Sequence, residues 1–369
     1  MKKLSAILSL ALVICLLAGC AGTPVVYYSN CTCPTGSHDT PAAAPTEAPS
    51  VEAPATEAPA PVEGAVKTGL ALITTAGEST SASADAEGEA KYDVTLVAVN
   101  VDDNGVITSC VIDSIGTSVK FDATGAITSD LTAPIQTKNE LGEAYGMKAY
   151  AGAKYEWNEQ AAALANYAVG KTVEELKTGA IGEDGKAKDA DLATTATIYL
   201  GGYVAGIEEA VANAHHVGAQ AGDKLILSTL ISIGDSVSAD AENAGTAQLN
   251  VDAVAMTMNG NVITSAIIDA VQAKVSFDAT GTITTDLTVS MQTKNQLGEA
   301  YGMKAYAGAK YEWNEQSANF CDYITGKTAA DVAGISVNEG TKPNEGTDLA
   351  SSVTIAIGGF MALIDKAAK

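Results

Sequence analysis

The sequence predicts an α+β fold built from two tandem copies of one small domain, each an antiparallel sheet followed by helices. Three observations predict it. The stretch Thr137–Gln160 returns at Thr293–Gln316 with one change, Glu140 to Gln296, which indicates a duplicated folding unit. Each copy opens with alternating β-branched runs around an Asn-Gly pair. Apolar residues then recur at helical spacing, and strands followed by helices are typical of α+β domains.

Length and charge bound the organisation of the chain and its partners. With 369 residues, it is suited to two folded domains of about 150 residues each. We expect a signal peptide with a lipidated cysteine at 1–20, a tether at 21–64, and repeat domains at 65–216 and 217–369. The 44 acidic and 21 basic residues give a net charge of −23. This charge argues against nucleic acid and anionic lipid headgroups as partners, and leaves cationic or neutral ligands open.

The first twenty residues have the pattern of an export signal. Lys2 and Lys3 precede an apolar stretch at 4–17 that is too short for a stable membrane span. Leu-Ala-Gly-Cys then ends at Cys20. This pattern resembles the bacterial lipoprotein signal, in which the cysteine is diacylated and becomes the mature N-terminus. The resemblance implies an acyl anchor such as palmitate on Cys20, with the rest of the chain on the extracytoplasmic face of the cell membrane. An ordinary signal peptide with an incidental cysteine is the alternative.

A low-complexity segment follows the signal. Pro41–Val62 is rich in Pro, Ala, Glu and Thr, contains six prolines and has almost no large apolar side chains. Such a composition does not bury enough surface to fold. We therefore predict a solvated spacer that lifts the folded part of the chain away from the membrane.

The remaining cysteines and the histidines predict no metal site. Cys31 and Cys33 are too close for an easy mutual disulfide and have no partners for zinc. Cys110 and Cys321 are interpreted as small buried apolar residues. The three histidines are not spaced as metal ligands, since two of them are adjacent. They are His38, His215 and His216.

Each repeat is predicted to begin with a meander of short strands. Tyr92–Val101 alternates, and an Asn-Gly pair separates it from Val106–Ile115, which predicts a hairpin because both turn residues tolerate positive φ. A second hairpin is predicted over 119–128, turning on Asp122–Gly125. The corresponding segments of the second copy are Val251–Met258, Asn259-Gly260, Val262–Ala270 and Val275–Ile283.

Two helices are predicted after the meander in each repeat. The first lies within 154–168 and stops near Gly170, and the last follows the segment 192–197. The copies lie near 313–324, stopping at Gly326, and after 349–354. The predicted buried faces are Trp157, Ala161, Leu164 and Ala168, then Val204, Ile207, Val211 and Ala214, and in the second copy Trp313, Ser317, Phe320 and Ile324, then Met361 and Ile364.

The order of these parts resembles extracytoplasmic FMN-binding domains. An Asn-Gly hairpin, a Glu-Leu-Gly…Tyr-Gly-Met stretch, a Trp-bearing helix ending at Gly-Lys-Thr, and a Thr/Ser cluster before an amphipathic helix occur in that order. Domains of this family occur in membrane electron-transfer complexes and in flavin-carrying lipoproteins. The resemblance covers 92–214 and 249–369. It implies bound FMN and an electron carrier or flavin binder outside the membrane, with the redox partner left open.

The resemblance also implies a cofactor site. Family members carry a Ser-Gly-Ala-Thr-type motif at the last helix, whose final Thr can be esterified to the flavin phosphate. Thr195 and Ser352 fall at that place, although both copies lack the glycine and have Leu at the Ser position. The expected pocket lies between this cluster and an aromatic, glycine-broken loop. The cofactor-binding residues are then Glu140, Tyr145, Gly146, Met147, Trp157, Thr194, Thr195 and Thr197, with Tyr301, Gly302, Met303, Trp313, Ser351, Ser352 and Thr354.

Two hypotheses remain open at this stage. One is a flavin-binding or electron-carrying lipoprotein. The other is the same fold without a cofactor, as a ligand-binding or structural surface lipoprotein whose aromatic residues cap the core. No catalytic set of residues is recognisable, so a binding or carrier protein is favoured over an enzyme. Asp122–Ala126 also matches a flavin-attachment pattern, but we interpret it as a tight turn because Asp and Gly favour one.

Overall fold

The two repeats have matching strands and principal helices in the same order, and the computed structural model describes residues 64–369. The predicted signal peptide, Cys20, the Cys31 and Cys33 pair and the Pro-rich tether lie outside the described residues. The first repeat contains β1 Lys67–Thr75, β2 Gly88–Val101, β3 Ile107–Phe121, α1 Lys138–Leu141, a 3-10 turn Gly142–Tyr145, α2 Met147–Ala151, α3 Trp157–Ala168, α4 Val173–Ala180, α5 Ala190–Ala193 and α6 Gly201–Ala212. The second contains β4 Lys224–Ser232, β5 Gly245–Asn259, β6 Val262–Phe277, α7 Lys294–Leu297, a 3-10 turn Gly298–Tyr301, α8 Met303–Ala307, α9 Trp313–Ile324, α10 Ala329–Ala333, a 3-10 turn Leu349–Ser351 and α11 Gly358–Ala367.

Each repeat has a three-stranded antiparallel sheet in chain order, β1-β2-β3 and β4-β5-β6. The α+β class with an antiparallel sheet in each repeat is therefore confirmed. Gly88 pairs with Phe121 and Gly245 with Phe277, so the two sheets have equivalent registers at that end. Both hairpins contain a register shift at the opposite end, where the first repeat has the longer connection.

The meander differs from the predicted one at its start and its end. The first strands, β1 and β4, were missed. β1 is buried on both faces, so its apolar run lacks the alternation typical of a half-exposed strand. β4 is half-buried along most of its length and likewise shows no alternation of buried and exposed positions. β3 continues past Ile115 through Phe121 as a single strand, paired with β2 along its length. The predicted second hairpin is reduced to a tight turn with one bridge between Phe121 and Ile127.

The predicted helices are confirmed, with one correction to their extent. α3 and α9 bury the predicted faces, including Trp157, Leu164 and Phe320. α6 buries Val204 and Ile207, leaves Val211 half-buried and ends before Ala214, and α11 buries Ile364 but leaves Met361 half-buried. The unpredicted α4 begins at a capping box formed by Thr172 and Glu175, a signal that the sequence carries. Within 64–369, none of the helices has both the length and the apolar character needed to cross a bilayer.

The two sheets face each other across a hydrophobic core that belongs to both repeats. Phe121 and Phe277 stack at its centre, with ring centroids 4.0 Å apart and planes within 1°. The buried Tyr92 hydroxyl donates to the Ala247 carbonyl oxygen across the same interface at 2.8 Å. Alternate side chains of the strands point away from this core and pack under the helices. The layers are therefore helices, sheet, sheet and helices.

Reciprocal contacts relate the repeats by an approximate two-fold arrangement. The Ala82 amide donates to the Gly281 carbonyl and the Ala239 amide to the Gly125 carbonyl, both at 2.8 Å. Both glycines have φ near +70°, and an added Cβ would lie 2.9 Å or less from a backbone oxygen of the opposite repeat. The Asp122–Gly125 turn and its copy therefore pack against the other repeat, and the interpretation as a turn is confirmed.

The junction between the repeats runs along the first strand. His215 and Thr68 exchange two backbone hydrogen bonds of 3.0 and 3.1 Å, and the Val66 amide donates to Ala219 at 3.0 Å. All described residues belong to one compact unit. The predicted boundary at residue 216 separates the two repeats along the sequence, but their core is shared. The division into two domains therefore stays a prediction.

Candidate functional site

The aromatic residues of the predicted loop form a row along the first repeat. The Lys138 ammonium lies 5.3 Å from the ring centroids of both Tyr145 and Trp157. The Trp157 indole donates to the Tyr203 hydroxyl at 3.1 Å. We call Tyr145, Lys138, Trp157 and Tyr203 the aromatic row. In this row a cation of the chain itself makes cation–π contacts with the two rings that we expected to hold a ligand.

The second repeat has a similar row with one hydroxyl fewer. The Lys294 ammonium lies 5.2 Å from the Tyr301 ring and 4.8 Å from the Trp313 ring. Phe360 takes the place of Tyr203 and makes an edge contact with Trp313 at 5.7 Å between centroids. The Tyr301 hydroxyl donates to the Gln272 side chain at 3.2 Å.

A buried glutamate fixes the backbone of the loop in both repeats. Glu156 is 2% exposed, and its carboxylate accepts from the Met147 amide at 2.8 Å and the Lys148 amide at 3.0 Å. Glu312 does the same for Met303 and Lys304 at 2.7 and 3.1 Å. These carboxylates satisfy amides at the starts of α2 and α8, which would otherwise have no partner within their helices.

The glycines before α2 and α8 have a structural requirement of their own. Gly146 has φ of +84°, and a Cβ there would lie 2.5 Å from the ring of Tyr150. Gly302 has φ of +85° and the same relation to Tyr306. These two tyrosines are largely exposed, at 90% and 81%. The left-handed backbone and the overlying ring together account for glycine at both positions.

A second buried side chain connects the Trp helix to the Thr/Ser cluster. The Gln160 amide oxygen accepts from the Thr197 amide at 2.7 Å, its hydroxyl at 3.1 Å and the Ile198 amide at 3.1 Å. Gln316 binds Thr354 in the same way, at 2.7 and 3.1 Å. The Gln160 amide nitrogen lies 3.8 Å from the Met147 sulfur. Met147 and Thr197 thus both contact Gln160, and the amide and the hydroxyl of Thr197 both donate to the Gln160 oxygen.

The remaining hydroxyls of the cluster lie at the ends of short helical turns. The Thr194 hydroxyl donates to the Asp191 carbonyl at 2.7 Å, and Ser351 donates to the Asp348 carbonyl at 2.7 Å. Thr195 and Ser352 are half-buried, and the Ser352 hydroxyl lies 3.4 Å from the Leu349 carbonyl. The long helices begin later, at Gly201 and Gly358. These hydroxyls therefore follow a preceding turn and do not open the last helix.

Glu140 belongs to the contact between repeats. Its carboxylate accepts from the Thr137 amide at 2.9 Å and lies 2.5 Å from the Lys366 ammonium in α11. The corresponding Gln296 donates to the Glu209 carboxylate in α6 at 2.8 Å. The one difference between the two copies of the central stretch thus matches a difference in the partner. Burial raises the pKa of Glu209, and the hydrogen bond from Gln296 opposes that rise.

A cavity lies where β1, β6, α9 and the junction segment 213–217 meet. Its volume is about 340 Å³, and none of the residues predicted to bind a cofactor lines it. Its lining combines apolar side chains of both repeats with several amides and carboxylates. Sequence reasoning missed this site because its walls come from segments that meet only when the repeats pack together. Among the lining residues are Leu70, Asn213, Ile268, Asp269, Asn314 and Asp322.

The buried carboxylate of the cavity wall is Asp269. It accepts from the Ala270 amide at 2.7 Å and the Asn295 amide at 3.0 Å. Burial raises the pKa of Asp269 to about 6, although hydrogen bonds from Thr293 and from the Asn295 and Ala270 amides, and more weakly the nearby Lys294 ammonium, oppose that rise. Burial also lowers the pKa of Lys294, whereas the nearby Asp252 and Asp269 carboxylates oppose this because they favour the charged ammonium. The wall therefore contains a buried carboxyl group whose pKa is raised above its ordinary value.

The thiols and acidic residues of the described chain give no metal centre. Within 64–369, no group of three His, Cys, Asp or Glu side chains is placed to hold a metal ion. Cys321 is buried and Cys110 is half-buried, both as free thiols. Burial raises the pKa of each thiol to about 12. The interpretation of Cys321 as a small buried residue is confirmed, and Cys110 packs against the core from a half-buried position.

Comparisons with protein-family models, with curated proteins and with solved structures find no match for this chain.

Proposed function

We propose that this chain is a membrane-anchored, extracytoplasmic lipoprotein whose folded part binds a small ligand without a cofactor. The cavity between the repeats is the observation that carries the proposal. Its volume of about 340 Å³ falls within the range of roughly 300–1,000 Å³ that is usual for small-molecule sites. An apolar wall with a few converging polar groups is also the usual composition of such sites.

The anchor in this proposal is Cys20. Acylation with two chains on a mature N-terminal cysteine gives stable membrane attachment, whereas one chain gives marginal binding. The Pro-rich segment 41–62 then holds the folded part at a distance from the bilayer. The ligand is thus met outside the cytoplasm.

The contacts of the predicted flavin residues favour the cofactor-free alternative. Gln160 already accepts both donors of Thr197, and Lys138 already lies against the rings of Tyr145 and Trp157. A flavin would need these donors and ring faces for itself. The same contacts recur in the second repeat, through Gln316 and Lys294. Internal packing accounts for much of the shared stretch without a ligand.

A flavin-binding electron carrier is the second candidate. Two observations favour it. Met147 and Thr197 both contact Gln160, so the aromatic loop and the Thr cluster are neighbours. α6 also begins with Gly201 and Gly202 and has no side-chain cap, which leaves amides for a phosphate. FMN would supply the electron-transfer chemistry there, and the chain would bind and orient it.

A visible spectrum separates the two candidates. We expect the full chain, purified from a host able to attach flavins, to be colourless and to take up no added FMN. A yellow protein, or stoichiometric binding of FMN, would favour the electron carrier. Replacing Thr195 and Ser352 together would then distinguish covalent attachment of the flavin from non-covalent binding.

The lipid anchor is tested by labelling with palmitate. The label should be incorporated into the wild-type protein but not into Cys20→Ser. A wild-type protein that incorporates no label would contradict the anchor.

The cavity itself is tested with a pair of matched substitutions. Ala318 lines the cavity, and Ala162 holds the corresponding place in the first repeat, where it is exposed. In a screen of small fragments, Ala318→Trp should abolish binding that Ala162→Trp leaves intact. If no fragment binds the wild type in a manner sensitive to Ala318→Trp, the cavity is not a ligand site.

A further inference from the structure

We infer that the cavity between the repeats takes a small aliphatic primary amine, bound as its ammonium ion. The inference rests on the proposed function, because it assigns a ligand class to the same cavity. It follows from three properties of the lining: its charge, its unpaired acceptors and the shape of its apolar wall.

The charge of the lining is negative. Asp269 and Asp322 contribute carboxyl groups, and no lysine or arginine is among the lining residues. Asp269 is 7% exposed, whereas Asp322 is exposed. An anionic ligand, including a phosphate ester, would meet these carboxylates, and the Lys294 ammonium near Asp269 lies against the rings of Tyr301 and Trp313 and is not part of the lining. A cation is favoured instead, and the net charge of −23 raises its concentration near the protein.

The amide side chains of the lining offer acceptors. The Asn213 amide nitrogen donates to the Leu70 carbonyl at 3.1 Å, and the Asn295 nitrogen donates to the Ile268 carbonyl at 3.1 Å. With a nitrogen bonded to backbone, each amide has its oxygen to offer to a ligand. An ammonium group carries three donors and no acceptor, which suits such a lining.

One acceptor of the lining is buried without a partner. The Asn314 amide oxygen has no hydrogen bond within the described residues. Asn158, at the corresponding place in the first repeat, has the same unpaired oxygen but does not line the cavity. A buried unpaired acceptor costs free energy that a ligand donor recovers. Of these two matched asparagines, only Asn314 lies beside the cavity.

The apolar part of the wall fits an alkyl chain. Its apolar side chains are mostly aliphatic, and no Phe, Tyr or Trp is among the lining residues. Recognition of a quaternary ammonium uses an aromatic cage, so that class is disfavoured. A flat ring system would likewise meet no Phe, Tyr or Trp face, and the one imidazole of the lining, His215, is exposed. The aliphatic residues of the wall are Leu70, Val217, Ala266, Ile267, Ile268 and Ala318.

The test uses pentylamine, pentanol and pentanoate, three five-carbon compounds that end in an ammonium, a hydroxyl and a carboxylate group. Calorimetric titration of the full chain carrying Cys20→Ser should show binding of pentylamine and not of the other two. Asp322→Asn should weaken it about tenfold, the value expected when a charged hydrogen bond is lost. Ala318→Trp should abolish binding, and Ala162→Trp should leave it unchanged.

Each of the contrary outcomes overturns a stated part of the inference. Pentanol or pentanoate binding as tightly as pentylamine would overturn the amine class while leaving the cavity a ligand site. Pentylamine binding that survives Ala318→Trp would overturn the location. Absence of pentylamine binding would overturn the inference entirely, and the fragment screen would then decide separately whether the cavity binds any ligand.

Discussion

At the scale of single residues, the contact between the repeats explains a difference that the sequence left without a cause. Glu140 binds Lys366, whereas Gln296 binds Glu209. Each side chain suits the charge of its partner in the opposite repeat. The resemblance to flavin domains had placed Glu140 in a cofactor site, and the structure places its carboxylate in this interface. Glu140 and Lys366 are far apart in the sequence and meet only because the repeats pack together. No local sequence pattern predicts this contact.

Gln296→Glu should therefore destabilise the protein at neutral pH. It would place a second carboxylate against Glu209, whose pKa is already raised by burial. We expect a loss of about 1–2 kcal/mol in the free energy of unfolding at pH 7, from a lost hydrogen bond and like-charge repulsion. The repulsion raises the folded-state pKa of the pair above its unfolded value. The loss should thus shrink as the pH falls and the carboxylates bind protons.

Urea unfolding at pH 7 and pH 4 measures this effect, and two controls accompany it. Glu140→Gln removes only a half-exposed ion pair and should cost less than about 1 kcal/mol. Adding Glu209→Lys to Gln296→Glu should restore stability by recreating the pair of the other repeat. A loss that is equal at both pH values, or that Glu209→Lys does not reverse, would contradict the assignment.

The sequence predicted single residues well where burial follows periodicity. Trp157, Leu164 and Phe320 are buried as their helical spacing indicates. Glu156 and Gln160 were not predicted to be buried, because both residue types are mostly exposed in folded proteins. Repetition showed that they recur, but their hydrogen-bond partners lie in the loop and in the Thr/Ser cluster. Those partners are visible only in the folded chain.

At the scale of elements, the central stretch is a set of short helices that side-chain hydrogen bonds hold against one long helix. α2 has only five residues and is too short to be stable alone. Glu156 precedes α3 and accepts from the first amides of α2, and Gln160 binds the segment before α6. Glu156, Gln160 and α2 all lie within the stretch that is nearly identical in the two copies.

Glu156→Ala should detach α2 from α3. Two hydrogen bonds to a buried carboxylate would be lost, leaving the Met147 and Lys148 amides without these acceptors. We expect a cost of about 2–4 kcal/mol, and faster hydrogen exchange at those two amides. Chemical unfolding and exchange measured by NMR check both effects.

The matched control for this change is Glu159→Ala on the same helix. Glu159 is more exposed, and it caps the Glu156 amide and pairs with Lys148. Its loss should cost about 1 kcal/mol and leave the exchange of the Met147 amide unchanged. If Glu156→Ala cost no more than Glu159→Ala, the buried carboxylate would not be what holds α2.

Elements were predictable where the chain marks their ends. The Asn-Gly pairs located the β2-β3 and β5-β6 hairpins, and Gly170 and Gly326 lie just beyond α3 and α9. β1 and β4 have no tight turn after them, because a longer connection of small and polar residues leads to β2 and β5. A single apolar run without a turn does not distinguish a strand from a buried helix segment.

At the scale of the whole molecule, the two repeats form one body. The hydrophobic pattern of each sheet predicted a buried face but not what would cover it. The structure covers each face with the other repeat, through Phe121, Phe277 and the residues around them. The cavity follows from the same packing, since Leu70 of one repeat and Ile268 of the other both line it.

Calorimetric unfolding of the full chain with Cys20→Ser tests this central claim most directly. A shared core predicts one transition in which the calorimetric and van't Hoff enthalpies agree. Phe121→Ala should lower the stability of that whole transition by about 3–5 kcal/mol, the usual cost of removing a buried ring. Two separate transitions, with Phe121→Ala moving only one of them, would contradict the account.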